Sequence, residues 1–299
     1  MAWRGLHLTN AARLALADGQ IVVAQAAAEV RLPLEDIAWV VIDTPQVSFS
    51  MALMSACMEA GIVVIGTDAT HTPNGMMLPF HRHHRQAHVA ALQVAASQPL
   101  KKRLWQRIVQ AKIANQADAL AACGRAVAPL REIGGRVGSG DPDNVEAWAA
   151  RLYWQRLFDR FVRDNSEDRR NMLLNYGYAV VRSGVARALV AHGLLPAFGL
   201  HHDNAANAFN LADDLVEPFR PFVDRLVFRI SDDGRMSEGR PSLQDRQTLA
   251  GLLLEDAMMA AERVTLLVAA EQAAASLVRA LEGNSPALLV LPGLPPDAA

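Results

Sequence analysis

Over the first 80 residues the apolar positions fall in short β-like runs at 6–8, 12–16 and 20–24, followed by longer ones at 37–43 and 62–65 that read as buried strands. Asp18-Gly19, between the second and third runs, supplies the easy positive φ of a two-residue hairpin turn. Asn74-Gly75 marks a second turn before 76–80, and a helix-like stretch at 50–60 separates the two buried strands. From about residue 82 the apolar residues recur every three to four positions in an alphabet of alanine, leucine, glutamine and arginine. That spacing predicts amphipathic helices at 86–97, 99–123, 144–161, 170–192, 218–229, 242–258 and 260–281. Breaks fall at Gly134-Gly135, at Gly138-Ser139-Gly140-Asp141-Pro142, at Asp232-Asp233-Gly234 and in the prolines between 292 and 296. The pattern therefore predicts an α+β chain: a small N-terminal β-rich domain over 1–80, then a larger all-helical domain over 81–299.

Composition fits an ordered core, with 51% hydrophobic and 20% charged residues in 299. Charge alters the picture more. Basic residues number 29 against 31 acidic ones, a formal −2 that excludes a uniformly basic nucleic-acid binder. Yet between Ala69 and Ala117 there is no aspartate or glutamate, while Arg82, Arg85, Lys101, Lys102, Arg103, Arg107 and Lys112 stand there. Setting those seven aside leaves 22 basic against 31 acidic residues, so a +7 segment is offset by −9 elsewhere. A local basic face toward phosphates is compatible with the near-neutral total. Cys57 and Cys123 are far apart and lack companions, which speaks against a zinc ribbon or a disulfide framework and makes a cytoplasmic setting the expectation. The longest apolar runs, 37–42 and 61–66, reach six residues against the roughly 18 of a membrane span. No G-x-G-x-x-G and no G-x-x-x-x-G-K-[ST] occurs.

Three segments carry candidate chemistry. In the first, 141–154, Glu146 follows Asp143 by three residues at a helix start, the spacing of a capping box. In the second, 198–204, His201 and His202 are adjacent, so at most one of the pair enters a given site if the segment is extended. In the third, 210–221, Asp214 and Glu217 share a face if helical, while Glu217 before Pro218 also suits a helix start and a pair with Arg220. Each has an ordinary structural explanation. Together, two glutamates and a histidine form a donor set for manganese or magnesium with room for water and a phosphate.

At these residues the sequence resembles the CRISPR-associated adaptation integrase, the larger of the two universal spacer-acquisition proteins, in the short form of single-effector (type II) systems. The resemblance rests on Asn144-Val145-Glu146-Ala147 through Ala150-Arg151-Leu152-Tyr153-Trp154, on Leu174-Asn175-Tyr176-Gly177-Tyr178 and on Gly199-Leu200-His201-His202. Lys112-Ile113-Ala114-Asn115-Gln116 and the segment 210–221 also match, and the likeness spans about residues 5–230. It implies a homodimer formed through the β domain and one Mg2+ or Mn2+ site in the helical domain. Position by position, the ligands fall on Glu146, on His202 as the last residue of Gly-x-x-His, and on Glu217, with Asp214 in support. The implied reaction joins the 3′-hydroxyl ends of captured double-stranded DNA to a repeat array by exchange of phosphodiesters. The implied partners are that DNA and a small companion adaptation protein; whether the single-effector nuclease joins them is left open. The basic residues from Arg82 to Lys112 are the candidates for contact with the phosphate backbone. The alternative is an architectural DNA-binding dimer without catalysis, in which Glu146 only caps a helix.

Overall fold

A computed structural model describes residues 3–80, 83–231 and 238–296. The break expected at Asp232-Asp233-Gly234 and the candidate Arg82 lie outside them. The N-terminal strands are β1 (Arg4–Leu8), β2 (Ala12–Ala17), β3 (Gln20–Ala24), β4 (Glu29–Pro33), β5 (Ile37–Ile42) and β6 (Val47–Phe49), followed by helix α1 (Met51–Ala60) and strands β7 (Val63–Thr67) and β8 (Pro73–Met77). They form two four-stranded sheets, ordered β1-β5-β7-β8 and β4-β3-β2-β6. Asp18 and Gly19, at φ 49° and 70°, make the predicted hairpin turn between β2 and β3. Asn74-Gly75 does not turn the chain as predicted: both residues lie within β8, and the turn is drawn one step earlier, where Asp68 accepts from the backbone N–H of Thr70 and Thr72.

Strands β5 and β7 are buried on both faces. Val40 and Val64 pack with Leu14, Ile21, Leu53 and Cys57, while Trp39, Val41, Val63 and Ile65 join the core of the helical region. This two-sided burial accounts for the near-continuous apolar runs in the sequence. Trp39 reaches farthest, and its Nε1–H donates to the Ala250 carbonyl at 3.0 Å.

The helical region comprises α2 (Gln86–Ala95), α3 (Gln98–Ala122), α4 (Leu130–Gly134), α5 (Val145–Leu157), α6 (Arg169–Ala191), α7 (Asn210–Val216), α8 (Arg220–Ile230), α9 (Leu243–Ala250) and α10 (Leu266–Glu282), with a 3₁₀ turn at Glu217–Phe219. Helix α6 is the central element and packs against α7, α8, α9 and α10. Among the described residues no helix is long and apolar enough to cross a membrane. One departure from an all-helical region is a hairpin of β9 (Asp256–Met259) and β10 (Glu262–Thr265), which replaces the ends of the predicted helices 242–258 and 260–281. Its two-residue turn is Ala260-Ala261, held at φ 48° and 78°. Alanine is a strong helix former and disfavours positive φ, so the local signal pointed to a helix and tertiary packing decided otherwise.

Candidate active site

Helix α5 begins at an unusual corner. Asp141 and Asn144 both have positive φ, and the Asp141 carboxylate accepts the N–H groups of Val145 and Glu146, each at 2.9 Å. The predicted capping box of Asp143 and Glu146 therefore does not form, because Asp141 already satisfies those donors. The Glu146 side chain is left to do something else. Its Oε1 accepts from Lys112 Nζ, on α3, at 2.6 Å.

Lys112 Nζ also contacts Glu217 Oε2, so one ammonium joins carboxylates from α5 and from the 3₁₀ turn. The side chains of Lys112, Glu146 and Glu217 are 12%, 24% and 7% exposed. The other Glu217 oxygen accepts from Arg220 Nε at 2.8 Å, the ion pair foreseen from the sequence. Burial alone would push the Glu217 carboxyl up; Lys112 and Arg220 outweigh it and hold it at about 2. Burial likewise disfavours the Lys112 ammonium, and the two glutamates more than restore it. The turn bearing Glu217 is pinned to α3 by Asn115, whose Nδ2 donates to the Pro218 carbonyl at 2.7 Å.

The histidine is placed by a different carboxylate. Asp214, fully buried, accepts from the backbone N–H of Leu200, His201 and His202 at 2.5, 3.1 and 3.1 Å and from His202 Nδ1 at 2.7 Å. A carboxylate here only accepts, so Nδ1 carries the proton and Nε2 is the free ring atom. Gly199 is required by this wrap, since a Cβ there would stand 2.2 Å from the His202 carbonyl oxygen and 2.8 Å from Asp214 Oδ2. The Asp214 hydrogen bond raises the His202 imidazole above its ordinary range against the burial that opposes it, and Glu217 adds to the rise. Trp105 lies beneath both histidines, stacked on His201 at 4.3 Å and edge-on to His202 at 5.7 Å.

Behind the carboxylates, Asp224 of α8 is buried between two phenols, accepting from Tyr153 of α5 at 3.0 Å and from Tyr178 of α6. Arg220 covers the Tyr178 ring at 4.6 Å. This chain of contacts ties the helices that carry Glu146 and Glu217 to one another. Burial pushes the Asp224 carboxyl from 3.8 up to about 7, against the tyrosine hydrogen bonds that lower it. Folding thus takes up a proton between those two values, and the contribution of Asp224 to stability falls as pH rises through that window, by at most roughly 1.4 kcal/mol per pH unit. Asp224→Asn removes this titration and is expected to flatten the loss of stability between about pH 4 and 7 in urea melts. An unchanged pH slope would contradict the assignment.

Of the predicted site residues, Glu146 and Glu217 come together at Lys112, and His202 lies within electrostatic reach of Glu217. Among the described residues no three His, Cys, Asp or Glu side chains form a ready-made metal cluster. Lys112 corrects an expectation: it belongs to this site and not to the exposed basic face. The signal was present, because Trp105, Val109, Lys112 and Gln116 fall at helical spacing on the inward stripe of α3. Of the other basic candidates, Lys102 and Arg103 are exposed and Lys101 is half-buried. Arg107 donates to the Leu289 carbonyl at 3.0 Å, and Arg85 pairs with Glu282 at 3.2 Å. Trp105, Asn115 and the Tyr153–Asp224–Tyr178 network were not foreseen as parts of the site. Asn115 stood in a recognised motif without a role, and the tyrosines meet Asp224 only through tertiary packing.

The family model for the CRISPR associated protein Cas1 matches residues 6–259. The CRISPR-associated endonuclease Cas1 of Neisseria meningitidis serogroup C (strain 8013) is 42% identical over 238 residues, which cover 79% of this chain and 78% of that protein. A solved structure described as a casposase bound to integration product aligns with a TM-score of 0.75 at 16% identity, covering 95% of this chain and 92% of the other. A chain of a Cas6-RT-Cas1–Cas2 complex aligns with a TM-score of 0.74 at 18% identity, covering 99% of this chain and 36% of the other. These two share the fold. The family match takes in both sheets, the wrapped histidine and the two glutamates on their shared ammonium, and on that match the chain belongs to the CRISPR associated protein Cas1 family.

Proposed function

We propose that this chain is a metal-dependent DNA integrase and endonuclease of CRISPR adaptation, joining 3′-hydroxyl ends of captured double-stranded DNA into a repeat array by transesterification. The observation that carries this reading is the convergence of Glu146 and Glu217, from separate elements, on one positive charge, within electrostatic reach of a histidine whose Nδ1 is taken by Asp214. The chemistry of this donor set suits a divalent cation: two carboxylate oxygens already share one ammonium, and the His202 imidazole lies within electrostatic reach of Glu217. Glu146, Glu217 and His202 would hold Mg2+ or Mn2+, which when bound supplies charge neutralisation at the phosphate and a more acidic attacking hydroxyl.

The chain's own residues supply the rest. Arg220 keeps Glu217 ionised and oriented. Asp214 fixes the His202 tautomer, so that Nε2 serves either as a ligand or as the atom exchanging a proton with the leaving oxygen. Exposed Lys102 and Arg103 at the start of α3 are positioned for the phosphate backbone, reading no bases. The name of the Cas6-RT-Cas1–Cas2 complex supports a small companion protein as partner, and a homodimer through the β domain completes the proposed assembly, which acts in the cytoplasm. The reading of Glu146 as a mere helix cap is disfavoured because Asp141 fills that role.

The test is joining of a 3′-hydroxyl oligonucleotide to supercoiled repeat DNA in the presence of the companion protein. Joining is expected with Mn2+ or Mg2+ and none with EDTA. Joining that is indifferent to EDTA, or hydrolysis of small phosphoesters in preference to DNA, would sink the proposal.

A further inference from the structure

Resting on the metal reading above, we infer that Lys112 is a built-in counter-cation: in the metal-free protein its ammonium holds the place between Glu146 and Glu217, and a divalent cation enters by displacing it. The contact geometry states the first half. Nζ lies 2.6 Å from Glu146 Oε1 and in contact with Glu217 Oε2, while Arg220 takes the remaining Glu217 oxygen. Without Lys112, two largely buried carboxylates would face each other with one charge uncompensated, which costs stability or forces a carboxyl to protonate. The ammonium therefore keeps the ligands ionised and gathered before any metal arrives.

The choice of residue supports the second half. The chain contains 26 arginines and three lysines, and this position holds one of the three. A guanidinium would grip a carboxylate through a rigid two-pronged fork, as Arg182 does Asp213 through Nε and Nη2. An ammonium is a compact charge on a flexible stem that releases without breaking a planar pair. Once displaced, a largely buried ammonium needs another anion, and the phosphate of a bound DNA end is the anion the proposed reaction brings. Metal and DNA phosphate thus favour each other through one side chain, each removing a cost of binding the other.

Mn2+ binding is measured by calorimetry on DNA-free protein for wild type, Lys112→Met, Lys112→Gln and Glu146→Gln. Both lysine variants are expected to bind Mn2+ about tenfold or more tightly than wild type, and to melt below it in EDTA with the difference narrowing at saturating Mn2+. In the wild-type protein, acetylation followed by mass spectrometry reads the same event without any substitution. Lys112 is expected to be protected without Mn2+ and labelled with it, against Lys101 and Lys102 as internal references. Mn2+ affinity in the lysine variants equal to or weaker than wild type, or Lys112 labelling unmoved by Mn2+, overturns the inference. Mn2+ binding unaffected by Glu146→Gln locates the metal elsewhere and overturns the underlying metal reading instead.

Discussion

Glu146→Gln is expected to reduce DNA joining by about a thousandfold or more while costing only about 1 kcal/mol of stability. The two effects separate because the residue has no structural duty that glutamine fails. Its backbone N–H is satisfied by Asp141, its side chain is partly solvated, and Lys112 retains Glu217 as a partner when the Glu146 charge is gone. What the amide cannot do is help hold a divalent cation, and the proposed reaction depends on that. Glu217→Gln should be equally inactive but less stable, because it removes the carboxylate partner of Arg220 and leaves Lys112 with Glu146 alone at a largely buried position. Parallel urea melts and joining assays check this contrast. Near-wild-type joining by Glu146→Gln at equal folded fraction would contradict its role.

The second large effect is expected at Asp214. Asp214→Ala removes the buried acceptor for three backbone N–H groups and for His202 Nδ1, which together hold a largely exposed loop to the helical core, and is expected to cost about 3 kcal/mol or more. Asp214→Asn is the sharper probe. Asparagine has nearly the same shape but offers an N–H₂ where His202 Nδ1–H now donates, which favours the opposite tautomer with the proton on Nε2. Joining is then expected to fall by about a hundredfold or more with a smaller loss of stability if Nε2 serves as a ligand, since its lone pair is then blocked by a proton. Nitrogen-edited NMR of the His202 ring reports the tautomer directly. Wild-type joining by Asp214→Asn with an inverted tautomer would show that Nε2 is not used as a ligand.

The legible parts of this fold were those written in local chemistry. Asp18-Gly19 announces its hairpin because both residues accept positive φ, whereas Ala260-Ala261 makes a turn of the same length from residues that elsewhere build helices. The runs at 37–43 and 62–65 were readable as strands because burial on both faces leaves little polar alternation. Within the site, the segments bearing Glu146, the His201-His202 pair and Glu217 stood out by residue type, the family resemblance singled out His202, and Glu217 and Arg220 were foreseen as a pair. That Lys112 sits between the two glutamates was missed because the charge of the segment was weighed above the helical stripe on which it falls. The Tyr153–Asp224–Tyr178 network was illegible for another reason: its members come from α5, α6 and α8 and acquire meaning only when those helices pack.

The most direct test of the metal-dependent site is an anomalous-scattering map of crystals soaked in Mn2+. One strong peak is expected, bounded by the carboxylates of Glu146 and Glu217 and by His202 Nε2. A map with no peak there, or with manganese bound only at other residues, would contradict it.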